Sequence, residues 1–300
     1  MVQLEEIPMS LLSDLSKDVA DLAETASAAV ASIFVPRRWP ASAVHWRDGL
    51  YVAAEEAIDG DEEVGILLPS KERVSGELVG RDESTGLALI RAGKGSSTTL
   101  KPAAPVRAGS LAVAVGRSEE DMLAGFGTVS EAGPAWRSMR GGRIDRRIRL
   151  GMALDGRFEG GAALDPEGGL IGIVLFGPRR RPLVIPAETM ERTATVLAEK
   201  GFVPRGYLGA GLHPLRNHHG QKGGQAGAIV MSIDEDGPCK AAGLLVGDIV
   251  TAWNGEEITG VRDLLRRLGP DSVGTNVTLG IVRAGEAASV KVAIAARPSR

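Results

Sequence analysis

The chain has 300 residues, of which 43% are hydrophobic and 24% charged, and its formal net charge is -3. That length exceeds the roughly 100 to 200 residues usual for one domain, so two separate cores are expected. The near-neutral balance gives no whole-molecule field drawing it to nucleic acid or an anionic membrane, and the single cysteine, Cys239, excludes an internal disulfide.

The N-terminal stretch carries Glu5, Glu6, Asp14, Asp18, Asp21 and Glu24 and lacks the basic start and unbroken apolar core of a secretory signal, so a cytoplasmic location is expected. No later stretch approaches the ~18 to 20 apolar residues that span a bilayer. Between Pro8 and Leu22, Leu11, Leu12, Leu15, Val19 and Leu22 recur at spacings of three and four with Ser10 as a cap, which predicts an amphipathic helix packed on the body.

From Ala28 the pattern changes to short β-like runs separated by turn residues: Val30 to Val35, Gly49 to Ala53, Val64 to Leu68, Leu87 to Arg91, Leu111 to Val115, Ile148 to Leu154, Leu170 to Leu175 and Leu183 to Ile185. Many short strands at this spacing suggest a barrel or sandwich. Ala187 to Lys200 returns to helical character and stops at Gly201. After a bridge at 201–211 and a polar, Gly-rich loop at 217–227, the chain reads as a small α+β unit. Its strands fall at Ala228 to Ile233, Ile249 to Trp253, Val277 to Arg283 and Ser289 to Ala295, with a turn at Asn254-Gly255 and a helix near Val261 to Leu268.

The segments Ala41 to Val52, Gly80 to Arg91, Glu159 to Ala162 and Pro204 to Ala210 fall in an order that resembles the HtrA/DegP family, which joins a chymotrypsin-like domain to PDZ domains. Ala41-Ser42-Ala43-Val44 through Asp48-Gly49-Leu50-Tyr51-Val52 resembles the family's first-barrel strand and turn, and Gly80 to Arg91 the strand that delivers its catalytic aspartate. Val113 to Gly116, Glu159-Gly160-Gly161-Ala162 and Gly168 to Ile173 resemble the strand and nucleophile loop of the second barrel, and Pro204 to Ala210 with Asp236 to Val250 the PDZ core. The resemblance implies a mainly β fold: an N-terminal helix (1–27), a chymotrypsin-like double β-barrel (28–200) and a small α+β PDZ domain (201–300).

The family's chemistry needs a hydroxyl nucleophile, an imidazole and an orienting carboxylate. The matching positions hold Glu159, Glu56 and Gly86, so the expectation is a catalytically degenerate member with no catalytic residues, not an enzyme. The alternative is an active or unconventional hydrolase of the serine-endopeptidase family, working in protein quality control through Glu56 and Glu159, which the family's geometry would bring together. Paired carboxylates share a proton or hold a hard cation, yet no cofactor or metal is expected. Gly160-Gly161 leaves room for a backbone anion pocket.

In the PDZ half the resemblance implies that Tyr207, Leu208, Gly209 and Ala210 form a carboxylate-binding loop, with Leu264 and Leu268 nearest the bound peptide. The expected partners are peptides or protein C-termini, with the chain as scaffold or regulator and a homo-oligomer, a trimer, implied by the family alone. No nucleic acid is expected: the arginines at 137, 140, 143, 146, 147, 149 and 179 to 181 read as solvated loop faces. Cys239 is expected to be buried packing.

Overall fold

A computed structural model describes residues 9–35, 39–58, 64–93, 96, 98–119, 121–215 and 227–298. The expected loop at 217–226, with His218 and His219, lies outside them, as do Glu5, Glu6 and Pro8; Gly227 already opens a strand. The chain divides into two compact units, one built up to Trp136 and from Ile144 to Val203, the other from Arg137–Arg143 and Pro204 onward.

The first unit holds two closed six-stranded barrels. One comprises β1 (Val30–Phe34), β2 (Ala41–Arg47), β3 (Leu50–Ala54), β4 (Val64–Leu67), β5 (Arg73–Asp82) and β6 (Leu87–Arg91), in the order β1-β2-β3-β6-β5-β4. After β7 (Leu111–Ser118) and β8 (Asp121–Gly133) comes a short ribbon of β9 (Trp136–Arg137) and β10 (Arg143–Ile144). With β11 (Arg147–Gly151), β12 (Ala162–Leu164), β13 (Leu170–Phe176) and β14 (Pro182–Pro186), β7 and β8 close the second barrel as β11-β14-β13-β12-β7-β8.

The apolar runs lack a polar face because the seam strands are buried on both sides. In β3 and β6, Tyr51, Ala53, Ala88 and Ile90 fill the first barrel. Their neighbours Leu50, Val52, Leu87 and Leu89 join Val113, Val115, Ile173 and Ile185 in the seam between the barrels. This follows from the two-residue period of a strand. Helix α1 (Met9–Ser27) runs five residues past Leu22 and packs Val19, Leu22, Ala23 and Ala26 on that core, while Leu11 and Leu12 stay exposed. Helix α2 (Ala187–Lys200) has the expected bounds, buries Met190, Ala194 and Leu197, and is capped by Gly201 in the left-handed region at φ 74°.

A polar contact interrupts the apolar seam. Ser42 of β2 is fully buried; its Oγ accepts from the Arg117 N–H at 2.9 Å and donates to the Arg157 carbonyl at 2.8 Å, and its own N–H donates to the Glu159 carbonyl at 2.8 Å. Arg117, itself buried, donates from Nε to Val30 O at 2.7 Å and from Nη2 to Ser27 O at 3.0 Å, tying the end of α1 to both barrels.

The second unit contains the sheet β16 (Ala210–Leu215), β17 (Gly227–Ile233), β18 (Ile249–Trp253), β20 (Asn276–Arg283) and β21 (Glu286–Ala293), in that order, with β19 (Glu256–Glu257) paired to β18. A ribbon of β15 (Gly206–Tyr207) and β22 (Ala295–Ala296) and the helices α3 (Pro238–Ala241) and α4 (Val261–Arg267) complete it. The β18–β19 hairpin turns at Asn254 and Gly255, both with positive φ (49° and 83°), as an Asn-Gly turn requires. Cys239 is buried as expected, and burial pushes its thiol up to about 12.

Asp248 is only 1% exposed and is held by Arg283 through two contacts of 2.8 Å and by the Leu245 N–H at 2.8 Å. The Arg283 hydrogen bonds, against the cost of burial, hold its carboxyl below the ordinary value of 3.8.

Two stability measurements test this account. A Cβ at Gly160, where φ is 81°, would lie 2.1 Å from the Ser42 carbonyl oxygen, so Gly160→Ala is expected to cost more in urea unfolding than Ser42→Ala, on the order of 3 kcal/mol or above against ~1 to 3 kcal/mol for the unpaired Arg117 N–H. Equal costs would show that the close approach does not set the seam. Because the Asp248 pKa is depressed, its stabilisation is present above the unfolded value and lost as pH falls through the folded one. Asp248→Asn should therefore destabilise the second unit at pH 7 by about 2 to 4 kcal/mol and flatten its loss of stability below about pH 4.

Candidate active site and peptide groove

The cleft of the first unit has a volume near 650 Å³ and is lined by Trp39, Glu56, Asp155, Arg157, Glu159 and Arg180, with Ala41, Ala57 and Gly156. Two of the three positions singled out from sequence, Glu56 and Glu159, thus share one cleft, while Gly86 is not part of its lining. Glu56 sits in a single 3₁₀ turn, Glu55–Ala57, that follows β3, and the Glu55 N–H donates to Gly86 O at 2.8 Å.

Gly86 closes a turn at φ 75°, where a Cβ would meet Leu175 Cδ1 at 3.0 Å. Asp82, four residues earlier, accepts from Ser84 N, Ser84 Oγ (2.6 Å) and Thr85 Oγ1 (2.7 Å), so its buried carboxylate is consumed by the turn.

The loop before Glu159 is a 3₁₀ turn, Gly156–Phe158, started by Asp155, whose side chain accepts the Arg157 N–H at 2.9 Å. The amides of residues 159 to 161 are all donated: Glu159 N to Gly156 O (3.2 Å), Gly160 N to Val174 O (2.8 Å) and Gly161 N to Phe158 O (2.9 Å). The anion pocket for which Gly160-Gly161 leaves room is not formed by their amides, because these N–H groups bond inward to the barrel. Asp155 and Arg157 pair closely (2.6 Å), and that contact, opposed by partial burial, holds the Asp155 carboxyl low.

No described histidine lines the cleft. His45 is buried in β2, its Nδ1 2.9 Å from Thr98 O and its ring tilted on Tyr51, and His213 lies exposed on β16. The cleft thus offers carboxylates and guanidinium groups, able to move protons and to hold opposite charge. The sequence reading missed Trp39, Asp155, Arg157 and Arg180 as cleft lining: Asp155 and Arg157 were signalled only by proximity to Glu159, Arg180 only by membership of a basic run, and Trp39 by nothing in the sequence.

That basic run is largely paired at the surface. Arg147 and Arg149 both reach Glu131 (2.5 and 3.1 Å), Arg137 reaches Asp271 (2.8 Å) and Arg146 donates to the Val106 carbonyl (2.8 Å). Among the described residues no helix is long and apolar enough to cross a membrane, and no group of three or more His, Cys, Asp or Glu is placed to hold a metal ion.

In the second unit Tyr207 and Leu208 lead into Gly209, which takes φ 70° and stands where a Cβ would lie 2.6 Å from Gly237 Cα. The Tyr207 hydroxyl donates to Asp234, and the Leu208 carbonyl accepts from Cys239 N at 2.9 Å. Among the described residues nothing accepts the N–H groups of Leu208 and Gly209. Ala210 then opens β16, an edge strand whose outer side pairs with none of the described strands. Leu264 and Leu268, expected nearest the peptide, are both buried in the unit's core, on a helix that packs against β16 and β17. The apolar side chain α4 exposes is Leu265, 50% accessible.

Comparison with known proteins accounts for this architecture. Residues 41–173 match the trypsin-like peptidase domain and residues 206–294 the PDZ domain. A "probable periplasmic serine endoprotease DegP-like" of Brucella suis is 30% identical over 265 residues, 84% of this chain and 51% of the relative; the Bartonella henselae protein of the same name is 28% identical over 262 residues, 84% and 52%. The chain spans about half the length of these relatives. Among solved structures, the HtrA-type protease AlgW with a decapeptide superposes with a TM-score of 0.69 at 21% identity, covering 94% of this chain and 99% of that one. The serine endoprotease from Yersinia pestis gives 0.68 at 21%, covering 93% and 98%.

Two expectations are corrected by these findings. The reading as a non-enzyme, drawn from three side chains alone, is overturned by relatives named serine endoproteases, and the cytoplasmic location by the same relatives being named periplasmic. With its double barrel, its PDZ unit and these relatives, the chain belongs to the HtrA/DegP family of trypsin-like serine proteases.

Proposed function

We propose that this protein is a peptide-engaging endopeptidase of the DegP type, placed in the periplasm like the relatives' names, whose PDZ unit captures C-termini or extended segments and whose cleft acts on them. The observation that carries capture is the pair of N–H groups at Leu208 and Gly209 that no described residue accepts, beside the edge strand β16. Unspent amides in a concave turn accept a carboxylate, and an edge strand adds a peptide strand. Leu265 supplies the apolar contact on α4, with Tyr207 and Ala210 flanking the turn.

For the cleft, the support is the relatives' name and the two carboxylates that share it. Glu56 and Glu159 are suited to proton transfer: one takes the proton from a water attacking the amide carbonyl, the other gives one to the departing amine. A second reading, capture of peptide as a scaffold or regulator beside a protease, is favoured by the amides of residues 159–161 being spent inside the barrel.

Casein hydrolysis by the purified chain and by Glu159→Ala separates the two. Cleavage that falls at least tenfold in the variant supports the carboxylate mechanism; no cleavage by either, with peptide still bound, favours the scaffold. In a parallel titration, Leu265→Glu or amidation of a peptide's C-terminus should weaken capture by roughly tenfold, about 1.4 kcal/mol; unchanged affinity for both would remove the PDZ groove from the account.

A further inference from the structure

The loop joining β13 to β14 is short, closed by the Gly177 N–H donating to Arg181 O at 3.0 Å. Within it Arg179 and Arg180 both take positive φ, 62° and 54°. Such backbone is disfavoured for any residue with a Cβ. The result is a guanidinium aimed into the cleft: Arg180 lines it beside Glu159, and one of its terminal nitrogens stands 2.9 Å from where a Cβ would lie on Gly156. Glycine at 156 is what leaves that space open.

The two cations of the cleft are not equivalent. Arg157 is committed to Asp155, by Nε at 3.0 and 3.2 Å and by Nη2 at 2.6 Å. Arg180 stands 5.4 Å over the ring of Phe176 and is near enough for its charge to act on Asp155, but among the described residues no hydrogen bond or close ion pair engages it. The aromatic face orients the cation without using its N–H donors, so its planar fork is left to a ligand. That fork matches a carboxylate in two parallel hydrogen bonds, stronger than neutral ones.

We infer that Arg180 determines specificity in this cleft, by receiving the carboxylate of a bound peptide above Gly156. This rests on the reading that the cleft takes peptide. The source of the carboxylate is either an acidic side chain within an extended segment or the peptide's own C-terminus. Trp39, 88% exposed at the cleft, offers a spectroscopic signal for occupancy.

The test is a fluorescence titration of the full chain, taking as cleft signal the part that disappears in Trp39→Phe. Four matched peptides are used: C-terminally amidated with Asp, Ala or Lys at one central position, and the Ala peptide with a free C-terminus. A preference of about tenfold or more for the Asp peptide over its Ala counterpart, lost in Arg180→Ala and reversed toward the Lys peptide in Arg180→Glu, supports an acidic side chain as the ligand. The same preference confined to the free C-terminus supports the terminal carboxylate. Variants are compared only after circular dichroism shows an unchanged melt. Binding of all four with equal affinity, or a preference that survives in Arg180→Ala, overturns the inference while leaving a peptide-binding cleft. Absence of any Trp39-dependent signal, with capture by the PDZ unit intact, overturns both. Charge-selective binding without casein cleavage upholds the inference and removes only the hydrolysis.

Discussion

The contact on which the candidate site depends is the approach of the Ser42 backbone to Gly160. Two barrels closed on themselves meet across an apolar seam, and apolar contact is non-directional. Position along that seam has to come from directional bonds, and Ser42 supplies them: its hydroxyl joins β7 to the loop before Glu159, and its N–H holds the Glu159 carbonyl. With no room for a Cβ at Gly160, the loop has one way to lie against β2. The place of Glu159 in the cleft follows from a bond made by a residue 117 positions away from it.

The molecule treats its backbone amides in two opposite ways. Around Glu159 each N–H is turned inward, to Gly156, Val174 and Phe158, which gives a stiff loop with its charge carried by side chains. At Leu208 and Gly209 no described residue accepts the amides, which are held in place by the close packing of Gly209 on Gly237 and by the Leu208 carbonyl on α3. An amide already bonded has nothing to offer a ligand, whereas an unbonded one in a fixed turn recognises an anion without any charged side chain. Recognition in the cleft therefore falls to guanidinium and carboxylate groups, and recognition in the PDZ unit to backbone.

Buried charge follows the same economy. Asp248 is tolerated inside the second unit because Arg283 and the Leu245 amide satisfy it, and Arg117 inside the first because the ends of α1 and β1 lend it carbonyls. Each ties together segments that hydrophobic contact alone would leave free to slide, and each would be costly to break from one side only.

How much of this was legible depended on how local the cause is. The seam strands β3, β6, β7 and β13 show in the sequence as unbroken apolar runs, since burial on both faces leaves no polar positions. β5 and β8, half-exposed and studded with glycine, carry no such signal; β8 escaped the strand reading altogether. The family order of motifs, the helix stop at Gly201, the turn at Asn254-Gly255 and the packing of Cys239 are properties of neighbouring residues, so the sequence determined them. Which stripe of α4 meets the sheet, burying Leu264 and Leu268 and leaving Leu265 outside, is decided by the packing partner, and both stripes read alike in one dimension. Likewise Gly160-Gly161 permits an anion pocket, but whether their amides face a ligand or the barrel depends on Val174 and Phe158. The presence of Arg180 over Gly156 was decided only by the fold, because it requires two loops more than twenty residues apart to converge and a left-handed backbone that no arginine prefers by itself.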